Sequence, residues 1–277
     1  MLTEKSIQMT ISGQTDVAVV IPVFNCKGYI REAADSVLGQ PYQKISIVLV
    51  DDGSTDGSGQ LCDEIAKESN RVTVLHQKNA GVSAARNAGI EHILSADDGV
   101  RYIAFLDADD GWASNFFNEN TIKLLQNGYD LIGFQSCNCN AQLRSYDVPK
   151  TMTDGLHSGG QSSVWLHATQ SFAAMLYSYG FLQRNDIRFF EGLKYSEDKI
   201  FSMQCMYLAD SIYLENRLLY LYRHTGNSAM NRRKYGITYY VPIIDGYIKL
   251  DFLMRQQDSV RPPLSASRLM ASIYIMD

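Results

Sequence analysis

The sequence predicts an α/β fold with a mostly parallel central sheet and helices on both faces. The chain has 277 residues, 45% of them hydrophobic and 20% charged, so it can bury a full core. Short, continuous apolar runs such as residues 17–21 are typical of strands buried on both faces of a parallel sheet. These runs alternate with amphipathic segments such as residues 28–39, and ligands of such βαβ folds bind beyond the carboxyl ends of the strands.

Each element follows from its own pattern of apolar residues. Continuous apolar, β-branched runs predict strands over residues 17–21, 45–50, 72–75, 102–106, 131–134 and 212–222. Apolar residues at helical spacing predict helices over residues 28–39, 57–69, 82–95, 116–127, 197–209 and 237–256. Between about residues 140 and 190 the alternation stops, and aromatic, Gly and polar residues become frequent. We expect a less regular part of the same domain there.

Charge is distributed unevenly along the chain. The formal net charge is -5, which disfavours a general nucleic-acid binder that relies on contacts with phosphates. Residues 1–130 carry 10 basic and 18 acidic side chains, whereas residues 131–277 carry 15 and 12. An acidic half suits cations and a basic half suits phosphates or an anionic membrane. Taken alone, chance surface composition explains the asymmetry better than a functional role does.

The cysteine pattern and the hydropathy indicate the cellular compartment of the protein. The five cysteines are scattered and lack the paired spacing of a zinc site or a disulfide framework, which favours a reducing compartment. Cys137 and Cys139 are the one close pair, and we expect two half-buried thiols on one face of a strand. No apolar run approaches the roughly 20 residues needed to span a bilayer. A cytoplasmic protein is therefore expected.

Acidic clusters follow two of the predicted strands. Asp51 and Asp52 come after the second strand, and residues 107–110 (Asp-Ala-Asp-Asp) come after the fourth. Carboxylates at one edge of a sheet repel each other, so this pattern indicates a divalent metal or a hydroxyl-rich ligand. Residues 79–87 lie between the clusters as a loop entering a helix, with Arg86 one turn inside. A helix N-terminus and an arginine offer donors to a phosphate.

Several other sites can be tested against the sequence. A calcium loop that begins at Asp107 would need Gly and Glu at its sixth and twelfth positions, which hold Trp112 and Asn118. A dinucleotide-binding fold would need a Gly-x-Gly-x-x-Gly turn after the first strand, where residues 22–28 read Pro-Val-Phe-Asn-Cys-Lys-Gly. Both are excluded.

A phosphatase stays open as an alternative. An apolar strand that ends in Asp107-x-Asp109 resembles the opening motif of the haloacid-dehalogenase-type phosphatases, in which the first Asp is a nucleophile. That motif normally ends the first strand of the domain, whereas here it ends the fourth.

Taken together, five motifs resemble the family 2 inverting glycosyltransferases of the GT-A fold. They occur in the family's order and spacing, and the resemblance covers roughly residues 15–230. The motifs are Val20-Ile21-Pro22-Val23-Phe24-Asn25, Val50-Asp51-Asp52-Gly53-Ser54-Thr55-Asp56, the stretch from Asn79 to Asn87 with Gly89, Leu106-Asp107-Ala108-Asp109-Asp110, and Ser196-Glu197-Asp198.

The resemblance implies a binding site for a nucleotide-sugar donor, by family habit a UDP-sugar. It places Asp52 against a uracil-type ring or its ribose, Arg86 near the phosphates and Asp107 against ribose or sugar. The residues implied in donor binding are Pro22, Val23, Phe24, Asn25, Asp52, Gly53, Ser54, Asn79, Gly81, Arg86, Asp107, Ala108 and Asp109.

The resemblance also implies a cofactor, Mn²⁺ or Mg²⁺, held by Asp109 against the diphosphate. Asp110 is a candidate second ligand. His224 and Arg223, in a segment that returns to the diphosphate in many family members, are candidates for metal or phosphate contact. A structural role for His224 is the alternative.

Glu197 and Asp198 are implied as an acidic pair near the acceptor. Asp198 would act as the general base that takes a proton from the acceptor hydroxyl, so that one displacement inverts the anomeric carbon. On its own, an acidic pair at this point would indicate charges that complement a helix N-terminus.

The resemblance divides the chain into three parts. Residues 1–15 are a flexible tail, residues 16–230 the GT-A domain and residues 231–277 a C-terminal helical extension. Within the domain, residues 16–135 would bind the donor and residues 136–230 the acceptor. Four alternatives are open for the role of the basic segment 232–234 and the later helices. Three are binding of an anionic membrane, of a lipid-linked acceptor or of another subunit, and the fourth is a solvated turn.

The expected enzyme is non-processive, because the Gln-x-x-Arg-Trp motif of the processive members is absent. It would transfer a hexosyl or N-acetylhexosaminyl group in the synthesis of a cell-surface polysaccharide or glycoconjugate. Its expected partners are the nucleotide-sugar donor and a glycan, glycoprotein or lipid-linked acceptor, with no nucleic acid. Three further alternatives stay open. They are peripheral association with the inner face of the membrane, a homo-oligomer, and a non-catalytic relative that binds nucleotide or glycan.

Overall fold

The computed structural model describes residues 15–96, 99–147, 155–158, 172–193 and 195–224, together with residues 244, 246, 248 and 249. The strands in this part of the chain are β1 Val17–Val23, β2 Ile45–Asp51, β3 Val72–His76, β4 Tyr102–Phe105, β5 Gly111–Trp112, β6 Leu131–Cys139, β7 Ser145–Asp147, β8 Gly155–His157, β9 Met175–Ser178 and β10 Ile212–Arg223. The helices are α1 Ile30–Leu38, α2 Ser58–Glu68, α3 Val82–Ala96, α4 Glu119–Asn127, α5 Tyr179–Arg184 and α6 Glu197–Leu208, and a 3₁₀ turn covers Phe172–Ala174.

The strands form one sheet in the order β3-β2-β1-β4-β9-β6-β10-β5, with β7 beside β6 and β8 beside β10. The half made of β3, β2, β1 and β4 is parallel throughout. The other half is mixed, because β9 runs antiparallel to both β4 and β6 whereas β6 and β10 are parallel. The predicted α/β class is confirmed, and the parallel character belongs to the first half.

Close packing of α3 on β1 brings the first half together. Every residue of β1 and β2 is buried, as expected for strands covered on both faces. A Cβ atom at Gly89 would lie 2.4 Å from Cγ1 of Val20, so glycine allows α3 to approach β1 closely. This contact fixes the first turn of α3 above the carboxyl end of the sheet.

Most predicted elements of the first half are present with small shifts in their ends. The predicted helix over residues 116–127 begins at Glu119, because the Asn118 side chain caps it by accepting hydrogen bonds from the backbone N–H groups of Asn120 and Thr121. Cys137 and Cys139 share a face of β6 as predicted, but both are buried, with their Sγ atoms 3.7 Å apart.

The segment predicted to be irregular contains regular structure. Its described residues form β7, β8, the 3₁₀ turn, β9 and α5, and β9 completes the sheet between β4 and β6. The predicted tail, apart from residue 15, and the basic segment 232–234 lie outside the described residues. So does most of the predicted helix over residues 237–256, although residues 244, 246, 248 and 249 are helical.

Candidate active site

The loops after β1 and β2 are joined by hydrogen bonds at the carboxyl edge of the sheet. Asn25, in the left-handed region at φ 53°, donates from its backbone N–H to Ser54 Oγ over 3.1 Å. Its side-chain Oδ1 accepts from the backbone N–H of Thr55 at 2.9 Å. The backbone N–H of Lys27 donates to Asp56 over 3.1 Å. The first two predicted motifs are therefore in contact.

Asp52 organises the loop that follows β3. One carboxylate oxygen accepts from the Gln77 side chain at 2.7 Å and from the backbone N–H of Ala80 at 2.9 Å. The other accepts from the backbone N–H of Gly81 at 2.9 Å. Asp52 is buried, and its own backbone N–H donates to the carbonyl oxygen of Val23. A carboxylate oxygen can accept more than one hydrogen bond, so a ligand donor can still approach.

The rim of these loops has an apolar and open surface. Phe24 and Val82 are large apolar side chains that are 48% and 38% exposed. Gly81, at φ 94°, has no atom within 4 Å of a Cβ built on it, whereas a Cβ at Gly53 would lie 2.9 Å from the backbone nitrogen of Asn79. A flat apolar ring such as that of Phe24, with hydrogen-bonding loops beside it, suits a nucleotide base.

Pro22, Val23 and Ala108 are buried, in contrast to Phe24. Any contact they make with a ligand must therefore involve main-chain groups, as the resemblance implies for the strand around Pro22.

Behind the rim, His76 lies between two carboxylates. Its Nδ1 is 3.0 Å from Asp51 and its Nε2 is 3.0 Å from Asp63. Partial burial lowers the pKa of His76, but the hydrogen bonds with Asp63 and Asp51 outweigh it and the pKa is raised overall. A Cβ atom at Gly59 would lie 2.6 Å from Asp51 Oδ2, so α2 begins directly against this cluster.

Arg86 connects two acidic motifs at the centre of the site. It is 3% exposed, and its guanidinium donates to Asp107 over 2.8 Å and to Glu197 over 3.2 Å. The ring of Phe172 lies 4.4 Å from its guanidinium carbon and that of Phe189 lies 5.2 Å away. Burial lowers the pKa of Arg86, but Asp107 and Glu197 outweigh it and raise the pKa overall.

The expectation that Arg86 lies near the phosphates stays a prediction. The two ion pairs of Arg86 use only part of the guanidinium, and its buried Nε has no hydrogen-bond partner among the described residues. The helical position of Arg86 was predicted, whereas its partners could not be.

Glu197 and Asp198 begin α6 beside this cluster. Ser196, at φ 62°, precedes the helix and makes no side-chain capping hydrogen bond. Burial and the neighbouring Asp198 raise the pKa of Glu197, although Arg86 opposes them. Asp198 is half-buried, and its Oδ1 accepts from the backbone N–H of Lys199 at 2.8 Å. The acidic pair thus lies against the donor-side motifs.

Asp107 and Asp109 are the half-buried carboxylates of the loop after β4. Asp107 keeps 31% of its side chain exposed beside Arg86. Burial, followed by the charge of Asp107, raises the pKa of Asp109. A hard cation with oxygen ligands relieves the repulsion between two neighbouring carboxylates. Asp109 therefore fits the predicted cofactor.

Asp110 has different surroundings from those predicted. It is 1% exposed and accepts hydrogen bonds from the Tyr220 hydroxyl and from the backbone N–H of Arg223. Both carboxylate oxygens therefore tie β10 to this loop, and the side chain is closed off from solvent. We do not retain Asp110 as a metal ligand.

Arg223 and His224 both have hydrogen-bond partners within the protein. Arg223 is buried, donating to the carbonyl oxygen of Asp109 and to Glu32, each over 2.6 Å, so it is a structural contact. His224 Nε2 lies 3.0 Å from Asn138 Oδ1. Within the described residues, no group of three or more His, Cys, Asp or Glu side chains is placed to hold a metal.

The structure brings the five predicted motifs to one edge of the sheet, with Arg86 and Asp52 as their connecting side chains. It also adds Phe172 and Phe189, which the sequence prediction missed, and it shows the contacts of Asn87, to which the third motif gave no role. The two phenylalanines lie in or near the segment without periodicity, and no sequence signal pairs them with Arg86.

The comparisons with known proteins identify the family of the chain. A model of the glycosyl transferase family 2 matches residues 18–187, which is more than half of the chain. The chain belongs to glycosyltransferase family 2.

Two curated relatives come from Bacillus subtilis (strain 168). The uncharacterized glycosyltransferase EpsJ is 30% identical over 218 residues, covering 76% of this chain and 62% of EpsJ. The minor teichoic acid biosynthesis protein GgaA is 27% identical over 207 residues, covering 68% of this chain and 43% of GgaA. The matched region therefore spans less than two thirds of either relative.

Among solved structures, the crystal structure of S. aureus TarS residues 1–349 in complex with UDP-GlcNAc has a TM-score of 0.69. It is 21% identical, and the match covers 85% of this chain and 66% of that one. This likeness shows the GT-A fold. In the described part of the chain, no helix is long and apolar enough to cross a bilayer.

Proposed function

We propose that this glycosyltransferase moves one sugar from a UDP-sugar to an acceptor hydroxyl with inversion at the anomeric carbon. The observation that carries the proposal is the contact of Arg86 with both Asp107 and Glu197. It brings the predicted donor loop and the predicted acceptor helix into one site.

The donor would lie along the carboxyl edge of the first half of the sheet. The exposed ring of Phe24 and the loop held by Asp52 offer a face and hydrogen-bonding edges for the base. UDP-GlcNAc bound to TarS, which shares the fold, supports a uridine donor. For the other predicted donor-binding residues, the proposed contacts with the donor rest on the resemblance and on this geometry.

Asp109 would hold Mn²⁺ or Mg²⁺ together with the diphosphate, because it is half-buried beside a second carboxylate. A divalent ion bound there would neutralise the charge that develops on the leaving diphosphate. His224 stays a candidate for contact with that end of the donor.

Asp198 would act as the general base. It accepts the proton of the acceptor hydroxyl while that oxygen bonds to the anomeric carbon, and the bond from that carbon to the diphosphate oxygen breaks. The nucleoside diphosphate leaves with the bonding electron pair. A positioned base of this kind contributes roughly 10²–10⁴-fold. Glu197 would keep Asp198 in place through Arg86.

We propose residues 16–135 as the donor half and residues 136–230 as the acceptor half. The acceptor class is a glycan, glycoprotein or lipid-linked sugar, with non-processive transfer at the cytoplasmic side. The minor teichoic acid biosynthesis protein GgaA supports a role in cell-surface polymers. Phosphatase chemistry is less favoured, because the proposed nucleophile Asp107 is ion-paired with Arg86.

Thermal unfolding in the presence of UDP, GDP or CDP, each with Mn²⁺ or with EDTA, tests the donor. We expect UDP with Mn²⁺ to raise the unfolding temperature most, because a ligand that binds the folded state stabilises it. Release of UDP from a panel of UDP-sugars then identifies the sugar. Phosphatase activity without nucleotide binding would support the alternative, and binding without UDP release or transfer would support a non-catalytic relative.

A further inference from the structure

Asn87 fastens the segment before α6 to α3. Its Oδ1 accepts from the backbone N–H of Phe189 at 2.9 Å, and its Nδ2 donates to the carbonyl oxygen of the same residue over 2.9 Å. Nδ2 also lies 3.0 Å from Glu191 Oε1. One side chain thus satisfies both backbone groups of Phe189, as a neighbouring strand would.

The ring of Phe189 continues this connection into α6. It stacks on Phe201 of α6 with the ring centroids 3.9 Å apart and the planes 3° from parallel. It also contacts Phe105 of β4 edge-on and lies 5.2 Å from the Arg86 guanidinium. Ring pairs of this kind prefer particular geometries, so a shift of Phe189 would be transmitted to its partners.

The first turn of α6 depends on such external contacts. Ser196 enters the helix in the left-handed region and provides no side-chain cap. The Arg86 ion pair with Glu197 and the stack of Phe189 on Phe201 are two of the contacts that hold the start of α6 in place.

We propose that Asn87 is a positioning residue for the transfer reaction. By holding the backbone of Phe189 it fixes the ring stack against α6, and so fixes Asp198 relative to Asp107. The effect of Asn87 on sugar transfer rests on the proposed function. The hydrogen bonds of Asn87 to the Phe189 backbone, which we call the clamp, do not.

Hydrogen exchange of the full chain tests the clamp directly. In Asn87→Ala we expect the amides of α6 from Ile200 to Gln204 to exchange about tenfold faster than in the wild type, because the turn loses its support. Asn118→Ala is the matched control, since it removes two backbone hydrogen bonds from the cap of α4. Equal exchange at α6 in the two variants would overturn the proposal.

Kinetics test the consequence. With UDP-GlcNAc and Mn²⁺ as the probe, we expect Asn87→Ala to lower the rate of UDP release on the order of 100-fold, as for a displacement of about 1 Å. The dissociation constant of UDP should stay unchanged, and Asn118→Ala should release UDP as the wild type does. A rise in that constant without a loss of rate would contradict a positioning role. If the wild type neither bound UDP nor released it, the proposed function would fail, whereas exchange would still decide the clamp.

Discussion

Arg86 donates to Asp107 over 2.8 Å and to Glu197 over 3.2 Å, although these acids lie 21 and 111 residues from it in the chain. One buried cation therefore joins the loop after β4 to the first turn of α6. Because the three groups are largely removed from water, removing the cation leaves two acids without their counter-charge. The geometry couples the donor side of the site to the acceptor side.

We expect Arg86→Met to destabilise the fold by about 3–5 kcal/mol, since breaking a buried ion pair leaves uncompensated charge. Urea unfolding measures the change in free energy. Arg31→Met is the control, because Arg31 also pairs with a carboxylate, that of Glu68, and both of these side chains are more than a third exposed. Exposed pairs contribute about 0–1 kcal/mol. Equal effects of the two substitutions would contradict the buried network.

We expect Asp198→Asn to lower the rate of sugar transfer or donor hydrolysis roughly 10²–10⁴-fold, because the amide cannot take the proton. Calorimetry should show unchanged UDP affinity. Asp186→Asn serves as the control, since Asp186 is exposed at φ 49°, a conformation that Asn tolerates. Near wild-type turnover in Asp198→Asn would remove Asp198 from the role of base.

The close approach of α3 to β1 predicts a specific rescue. Gly89→Ala should cost about 1–3 kcal/mol of folding free energy, because its new methyl group would overlap Val20. Val20→Ala combined with Gly89→Ala should recover part of that loss. If the double variant showed the sum of the two single losses in urea unfolding, the contact would not be the cause.

The surroundings of His76 predict that part of the folding stability depends on pH. Its pKa in the folded protein is raised above the ordinary value of about 6.5. Protonated His76 therefore makes its full contribution to folding stability below about pH 6.5. This contribution is lost as the pH rises through the folded-state pKa. Urea unfolding of the wild type and His76→Gln should differ most at low pH. A difference that grew with pH would show the opposite sign.

The sequence contained enough information for the first half of the fold and for the location of the site. Continuous apolar runs identify β1, β2 and β4, because strands covered on both faces need them. The acidic residues that follow β2 and β4 must then meet at one edge, as Asp52 and Asp107 do.

The rest depended on contacts between distant residues. Met175–Ser178 form β9 at the end of a longer apolar run, residues 172–177, and such a run does not distinguish a strand from a buried helix. The antiparallel place of β9 follows from its neighbours. Likewise, the helical position of Arg86 gave no sign of Glu197 or Phe172. Asp110 looked like a ligand beside Asp109, but Tyr220 and Arg223 use its oxygens.

Titration of UDP into the wild type and Asp109→Asn, each with Mn²⁺ and with EDTA, tests the central claim most directly. We predict that the wild type binds UDP in Mn²⁺, and that EDTA or Asp109→Asn weakens binding by about tenfold or more, because several kcal/mol of charge stabilisation depend on the ion. UDP binding of equal strength in all four measurements, or none in any, would contradict a UDP-sugar site in which Asp109 holds the cation.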